Sequence, residues 1–476
     1  MGEGPLDRDA EQLQRLGYAQ QLLRDMGGFA NFAISFSIIS SLTGAVTLYG
    51  HGLKYGGPLE MTLGWPLVSL LTLPVAASLA QLASSYPTAG ALYHWAAILG
   101  GRGAGFFTAW LNCVGQFAIT AGIDYGLSQF IVALLGLPPD RTIAVYAAVL
   151  VSHAILNHLG VRLVARLNDL SAWVHIAGGA LLVGALLFFA PRQPVAFLFT
   201  RFTDAPRPYW LGFLLGLLQA AWTFTGYDAS AHVSEETRDP TRNAPWGIFL
   251  SVVVSAVFGW ILLIAVTLAI GDLGSAVAAE NPFVHVLRTA LGSRAGGALV
   301  WIAVVAMWFC GLSSVTSNSR MLFAFARDGG LPFSRQLAKV SPRYRSPHVA
   351  VWVATTAALA IALFTERYAS YRDAVYTGMT ALSTIALYAS YGLPIWLGLR
   401  ARRSGRWHRF GPWDLGRWSL PVNVVALAWI CALTVLFVLP PNEIAGYTFA
   451  GSIAAICAWW FLWMRRRFRG PPVRDV

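Results

Sequence analysis

Charge is scarce in this chain: Asp, Glu, Lys and Arg make up only 12% of its 476 residues, while 56% are hydrophobic. So few charges cannot clothe an ordinary soluble protein, and the chain reads as a polytopic membrane protein. Cysteine is scarce too. Cys113, Cys310, Cys431 and Cys457 all fall inside apolar runs, which speaks against a disulfide framework or a CxxC metal site and leaves them as small packing residues. No GxxxxGK[ST] loop occurs, so ATP-driven pumping by this chain is not expected. The nine histidines are scattered. His153 and His158 are five apart, which does not align two rings on one helix face, and no acid joins them, so a membrane metalloenzyme is not suggested. Neither metal nor cofactor is expected, and no repeated ring of polar residues suggests a channel. The first 25 residues are charged and roughly amphipathic, unlike a cleavable signal peptide.

What the chain does have is a succession of apolar runs, each near the roughly 20 residues needed to cross a bilayer. They cover approximately 28–49, 60–84, 104–135, 142–159, 169–190, 209–232, 246–270, 296–325, 347–365, 374–399, 420–440 and 446–464. About twelve spans place both ends on one side. With the termini inside, 25 of the 34 Lys and Arg residues fall on that side and 9 outside, the bias of the positive-inside rule. The net charge of +12 therefore needs no nucleic acid partner. The expected division is an N-terminal segment 1–26, five spans over 27–191, five over 208–401, a loop 402–419, two further helices over 420–465 and a tail 466–476, in a cell membrane with both termini cytoplasmic.

Within the sixth run lies AWTFTGYDASAHVSEE, where Thr225 and Gly226 interrupt an apolar helix and Asp228 puts a carboxyl group at bilayer depth. Unpaired backbone groups cost several kcal/mol each in hydrocarbon, so a break is tolerated only where protein or a watery cavity satisfies them. A broken helix beside a buried acid reads as a binding site. The first run repeats the theme with Ser40, Ser41, Thr43 and Gly44 at its middle. Matching interruptions in two halves point to a transporter of inverted repeats, with substrate between them near the midplane; small residues also serve close helix packing.

Several stretches resemble one family. QLASSYPTAGALYHW, residues 81–95, is similar to the ELxxxxPxxGGxYxW signature of the amino acid, polyamine and organocation transporter superfamily, with Gln81 in place of the acid and Ala91 in place of the second glycine. Asn157, Gly160 and Arg162 match its NxxGxK pattern, and His175 falls where a lysine follows in the fifth helix. WTFTGYDASAHVSEETRDPTRNAP resembles the sixth helix of the subfamily carrying amino acids, 4-aminobutyrate and choline, and the likeness extends to the chain's start, to FAFARDGGLPFS and to GPWDLGRWS. The resemblance implies an all-α integral membrane fold of about 12 transmembrane helices, a 5+5 inverted repeat like that of the leucine transporter with two additional helices. It also implies that Trp222 caps the ligand, that Thr225 and Gly226 offer backbone groups, and that Tyr227 and Asp228 lie close to the site. Ser313, Ser314 and Ser317 of the eighth span would complete a sodium site with carbonyls of the broken first helix. His175 would instead carry a proton.

Other candidates come from the residues alone. Gln116, Thr120 and Asp124 are four apart on one helical stripe and should face the bundle; Asp124 is a second intramembrane acid, in reach of the outer surface. Glu235 and Glu236, at the inner end of the sixth span, could pair with Arg24 as a gate. The expected activity is alternating-access transport, not enzymatic turnover, of a small zwitterionic or cationic amine. Broken-helix amides would hold a carboxylate, and Asp228, or else Asp124, would meet the ammonium. Trp222, Phe224 and Tyr227 offer aromatic faces that would suit a quaternary amine. Amino acids, including 4-aminobutyrate, are the first expectation; choline and polyamines are the alternative. Coupling by proton or exchange is expected from His175, with sodium open through the span-eight hydroxyls.

Overall fold

A computed structural model describes residues 5–204, 206–367, 372–440 and 442–472. The extreme ends of the N-terminal segment and of the tail read from the sequence lie outside the described residues. Among the described residues the only β-type pairing is the isolated bridge between Met26 and Thr237; everything else is helix and connecting loop. Among the described residues nine helices are apolar and long enough to cross a membrane. The fourth span (Thr142–His158), the ninth (His348–Arg367) and the sixth complete the twelve: the first two are short or only partly apolar, and the sixth is interrupted.

The first span runs as Gly28–Ile38, a π turn Ser41–Ala45 and Tyr49–Leu59. It extends ten residues past the expected boundary, because Gly52 and Gly56 keep it thin enough to pack although His51 and Lys54 break the apolar pattern. At Gly57 the backbone takes φ 68°, and the chain turns into the second span through Glu60–Gly64 and Trp65–Ser85. The third, fifth, seventh, eighth and tenth spans are Arg102–Leu135, Val161–Phe189, Pro240–Leu268, Ser293–Arg327 and Arg372–Arg403. Ser419–Val438 and Glu443–Trp459 form the last two.

Packing follows the inverted repeat. The second span lies against the seventh and the fourth against the ninth; the third meets the tenth as the eighth meets the fifth. Burial separates core from periphery: in an apolar 18-residue stretch of the first span, within Gly28–Ala45, 78% is buried, against 22% of such a stretch in the fifth and in the twelfth. The peripheral spans present Phe188, Phe189 and Leu462 outward, as lipid-facing helices should.

Both terminal segments lie on one face, where Gly17 packs on Pro472; this is the terminal face, and the opposite one is the distal face. Asp25 there accepts hydrogen bonds from Arg162 (2.9 Å) and Arg238 (2.6 Å). Partial burial alone would raise its pKa, but the two guanidinium groups outweigh that and hold it below the usual carboxylate range. The contact therefore persists at neutral pH and is lost only on strong acidification. Gln81 donates to Asp414 at 2.9 Å, which is also paired with Arg402. Ala91, at the position where the superfamily signature carries its second glycine, has φ 40°. Ala91→Gly should therefore raise stability by about 1 kcal/mol by relieving a sparsely populated backbone conformation; a lowered midpoint of thermal unfolding in detergent would contradict this.

Candidate functional site

The two interruptions meet. The first span leaves helical geometry at Ile39 and Ser40, and the sixth between Thr223 and Ala229. Gly226, at φ 82°, sits so close to the first span that a β-carbon there would stand 2.3 Å from Ile38 Cγ2; one at Gly44 would stand 2.3 Å from Thr223 Oγ1. Both crossings require glycine for close contact; Gly226 also lies in the break of the sixth span, whereas Gly44 lies within the π turn Ser41–Ala45 that follows the break of the first. Chain direction then sets the charge. The distal half of the first span and the terminal half of the sixth both begin at the crossing, so their positive ends converge there, while the carbonyl ends of the other halves lie opposite.

Much of the freed backbone is met by two tyrosines of the tenth span that the sequence did not single out. Tyr391 Oη accepts from the Gly226 amide at 3.1 Å, and Tyr388 donates to Phe224 O at 2.8 Å. Thr225 returns its hydroxyl to Trp222 O. Of the backbone groups expected for ligand, the Gly226 amide is thus taken in this conformation. Their i,i+3 spacing on an apolar helix was the signal that could have found the two tyrosines.

Asp228 is fully buried at the start of the sixth span's terminal half. Its Oδ1 accepts from Tyr391 at 2.7 Å; its Oδ2 faces Asn112 Nδ2 at 3.3 Å and His232 Nε2 at 3.1 Å. His232 Nδ1 in turn faces Ala89 O at 3.0 Å. A carbonyl only accepts, so Nδ1 carries a hydrogen, and one further proton must be shared between Nε2 and the carboxyl. Neither Asn112 nor His232 was picked from the sequence, although His232 stands four residues beyond Asp228 and so on the same face.

The remaining candidates divide into those at the crossing and those beside it. His175 Nε2 lies 2.7 Å from Ser40 Oγ and Nδ1 2.8 Å from Ser171 O. Its ring therefore donates to the carbonyl and accepts from Ser40, whose oxygen accepts from Thr43 Oγ1 at 2.7 Å. Ser41 points instead to Ser255 O on the seventh span. Trp222 donates to Ser383 at 3.0 Å, and Tyr227 carries a buried hydroxyl with no hydrogen-bond partner among the described residues. Phe224 is turned away, its ring 4.9 Å from that of Trp65. The three aromatics thus do not enclose a common box.

Three expectations need correction. The span-eight hydroxyls bond to other spans: Ser313 to Asn168 (2.8 Å), Ser314 to Thr120 (2.7 Å) and Ser317 to Gln116 (3.1 Å). Thr120 and Gln116 on the third span hold Ser314 and Ser317, and Asn168 on the fifth holds Ser313; Cys310, not a hydroxyl, reaches Ile38 O at 3.4 Å. Asp124 is not near a hydrated surface but fully buried, 3.2 Å from His153, because Gly311 lets it close against the eighth span. Arg24 pairs with neither gate carboxylate. It donates to Ser234 O and Thr237 O, while Glu235 meets Arg327 at 2.8 Å and Glu236 meets Arg320 at 3.0 Å. Two arginines on the long eighth span reach these acids first. Two surface clefts of about 550 and 350 Å³ lie on the terminal face, away from the crossing.

A family model described as amino acid permease matches residues 27–463. The chain belongs to the amino acid permease family. This permease is 36% identical to Amino-acid permease BAT1 of Arabidopsis thaliana over 98% of its own length and 96% of that protein's. It is 28% identical to the GABA-specific permease of Saccharomyces cerevisiae, over 91% of this chain and 79% of the other. Its fold is similar to that of a manganese transporter from Eremococcus coleocola, with a TM-score of 0.58 at 13% identity, covering 92% and 94% of the two chains. The permease is a multi-pass secondary transporter for amino acids, not an enzyme.

Proposed function

We propose that this permease carries small neutral amino acids, 4-aminobutyrate among them, across a cell membrane by alternating access, with both termini in the cytoplasm and with proton coupling or exchange. The observation that carries the reading is the convergence of two helix N-termini on the crossing beside Asp228. The substrate carboxylate is taken by amides at the start of the distal half of the first span, in the region of Ser41 to Gly44, as anions are at helix ends. Its ammonium is drawn to the carbonyl ends near Ile38 and Thr223 and to Asp228. Trp222, Thr225 and Tyr227 line the same crossing; Ser40, Gln116 and Thr120 support it. The specificity that the yeast relative's name gives it and the lack of a shared aromatic box both favour an amino acid over a quaternary amine. A proton is favoured over sodium because Ser313, Ser314 and Ser317 are committed to side chains of other spans. His175, Asp124 and the Asp228–His232 pair are the candidate proton carriers within this reading.

Counterflow in proteoliposomes tests it. Liposomes loaded with unlabelled 4-aminobutyrate or a neutral amino acid should accumulate labelled amino acid transiently, and choline should neither drive nor compete. Choline counterflow with no response to amino acids would overturn the substrate assignment; uptake that needs a sodium gradient and ignores a pH gradient would overturn the proton reading.

A further inference from the structure

Glu60 is fully buried where the second span begins, and neither of its carboxyl oxygens has a hydrogen-bond partner among the described residues. Four glycines make the room it occupies. A β-carbon on Gly52 or Gly56 of the first span, on Gly64 or on Gly216 of the sixth would stand 2.5 to 3.0 Å from its side chain. The sixth span also contributes Gln219, whose Nε2 donates to Ala45 O at 2.8 Å. That bond fixes the amide, since flipping it would set Oε1 against the carbonyl, and Oε1 is left buried without a donor. A single point, the β-carbon position at Gly52, is 2.5 Å from Glu60 Oε2 and 2.8 Å from Gln219 Oε1. Two acceptors therefore face one another in a buried cradle formed by the distal halves of the first and sixth spans. An ionised carboxylate with no partner is strongly disfavoured there, and intramembrane acids of this kind are functional by default.

The neighbouring titratable groups leave the cradle to Glu60. Tyr49 of the first span lies beside Thr267 of the seventh at 3.1 Å, and Tyr209 of the sixth donates to Gly56 O. His51 faces Leu215 O, and Lys54 pairs with Asp204 of the loop.

We propose that Glu60 is a proton-binding site that closes the distal half of the permease: its protonated carboxyl donates to Gln219 Oε1, and the distal pathway shuts only when that proton is in place. When the distal half-helices part, water reaches the carboxyl, the proton leaves to the distal side, and the carboxylate that remains opposes reclosure. Closing therefore takes up one proton from that side. The sign follows: closure is favoured at low distal pH and is lost as distal pH rises. The consequence for transport rests on the proposed function and its orientation; the protonation itself does not.

In oriented proteoliposomes, amino acid counterflow by the wild type should slow as external pH rises, by up to about tenfold per unit. Glu60→Gln is permanently neutral and donates to Gln219 through its amide, so its counterflow should be flat over the same range. Retention of the wild-type profile in E60Q, or replacement of the proton requirement by external sodium, would overturn the proposal. Infrared spectroscopy gives a second reading that needs no transport. At neutral pH the wild type should show the carbonyl stretch of a protonated carboxyl that E60Q lacks and that Gln219→Leu shifts. Absence of that band overturns the site, whereas failure of amino acid counterflow with the band present would sink the substrate reading alone.

Discussion

Replacing Asp228 with Asn is expected to lower amino acid uptake about a hundredfold while leaving the permease folded, since charge-assisted hydrogen bonds contribute about 1.5 to 3 kcal/mol each. The fold should survive because an amide can be accommodated. Its carbonyl accepts from Tyr391 as Oδ1 does, and its NH2 can donate to His232 Nε2 while His232 Nδ1 keeps its bond to Ala89 O. What vanishes is the negative charge at the start of a half-helix and the proton shared with His232. Asn112 alone loses its acceptor. Tyr391→Phe, which removes one bond to the carboxylate and one to the Gly226 amide, should cost roughly tenfold. Uptake kinetics at saturating and limiting substrate, with thermal unfolding of both variants alongside, check this. Wild-type uptake in D228N would remove Asp228 from the mechanism, and a collapsed unfolding midpoint would show that the residue serves folding.

The largest stability effect is expected at Arg320. This guanidinium is fully buried and meets both oxygens of Glu236 at 3.0 Å, with further bonds to Asn157 and Ser319. Planar two-point pairing suits arginine, and it ties the eighth span to the end of the sixth and to the fourth. Breaking such a pair strands a charge: Arg320→Met should destabilise the permease by about 3 to 5 kcal/mol. The double variant R320M/E236M should be less destabilised than R320M alone, because no charge is left without its partner. Unfolding midpoints of the two variants decide the matter; an R320M protein as stable as the wild type would mean the pair is hydrated and not a fastening of the terminal face.

How much of this could be read from residues depends on whether a signal is local. Span number is a local sum of apolar length, so the twelve runs correspond to twelve spans, and even the interrupted sixth was visible through Thr225, Gly226 and Asp228. The first span ran past Tyr49 because glycine carries no hydropathy signal, yet Gly52 and Gly56 are what let it pack. Arg24, Glu235 and Glu236 share the inner end in the sequence, which suggests a pairing, yet Arg320 and Arg327 hold the two acids because one long helix passes closer. Asp124 looked shallow from its place in the third run and is buried because Gly311 of the eighth admits it.

The sequence by itself determined that this is a twelve-span transporter with two broken helices, since hydrocarbon punishes every unpaired backbone group and so confines such breaks to recognisable positions. Only the tertiary structure decided which groups answer those breaks and which do not. Tyr391, the partner of Asp228, comes from more than a hundred positions away, Glu60 has no partner among the described residues, and no local pattern encodes either.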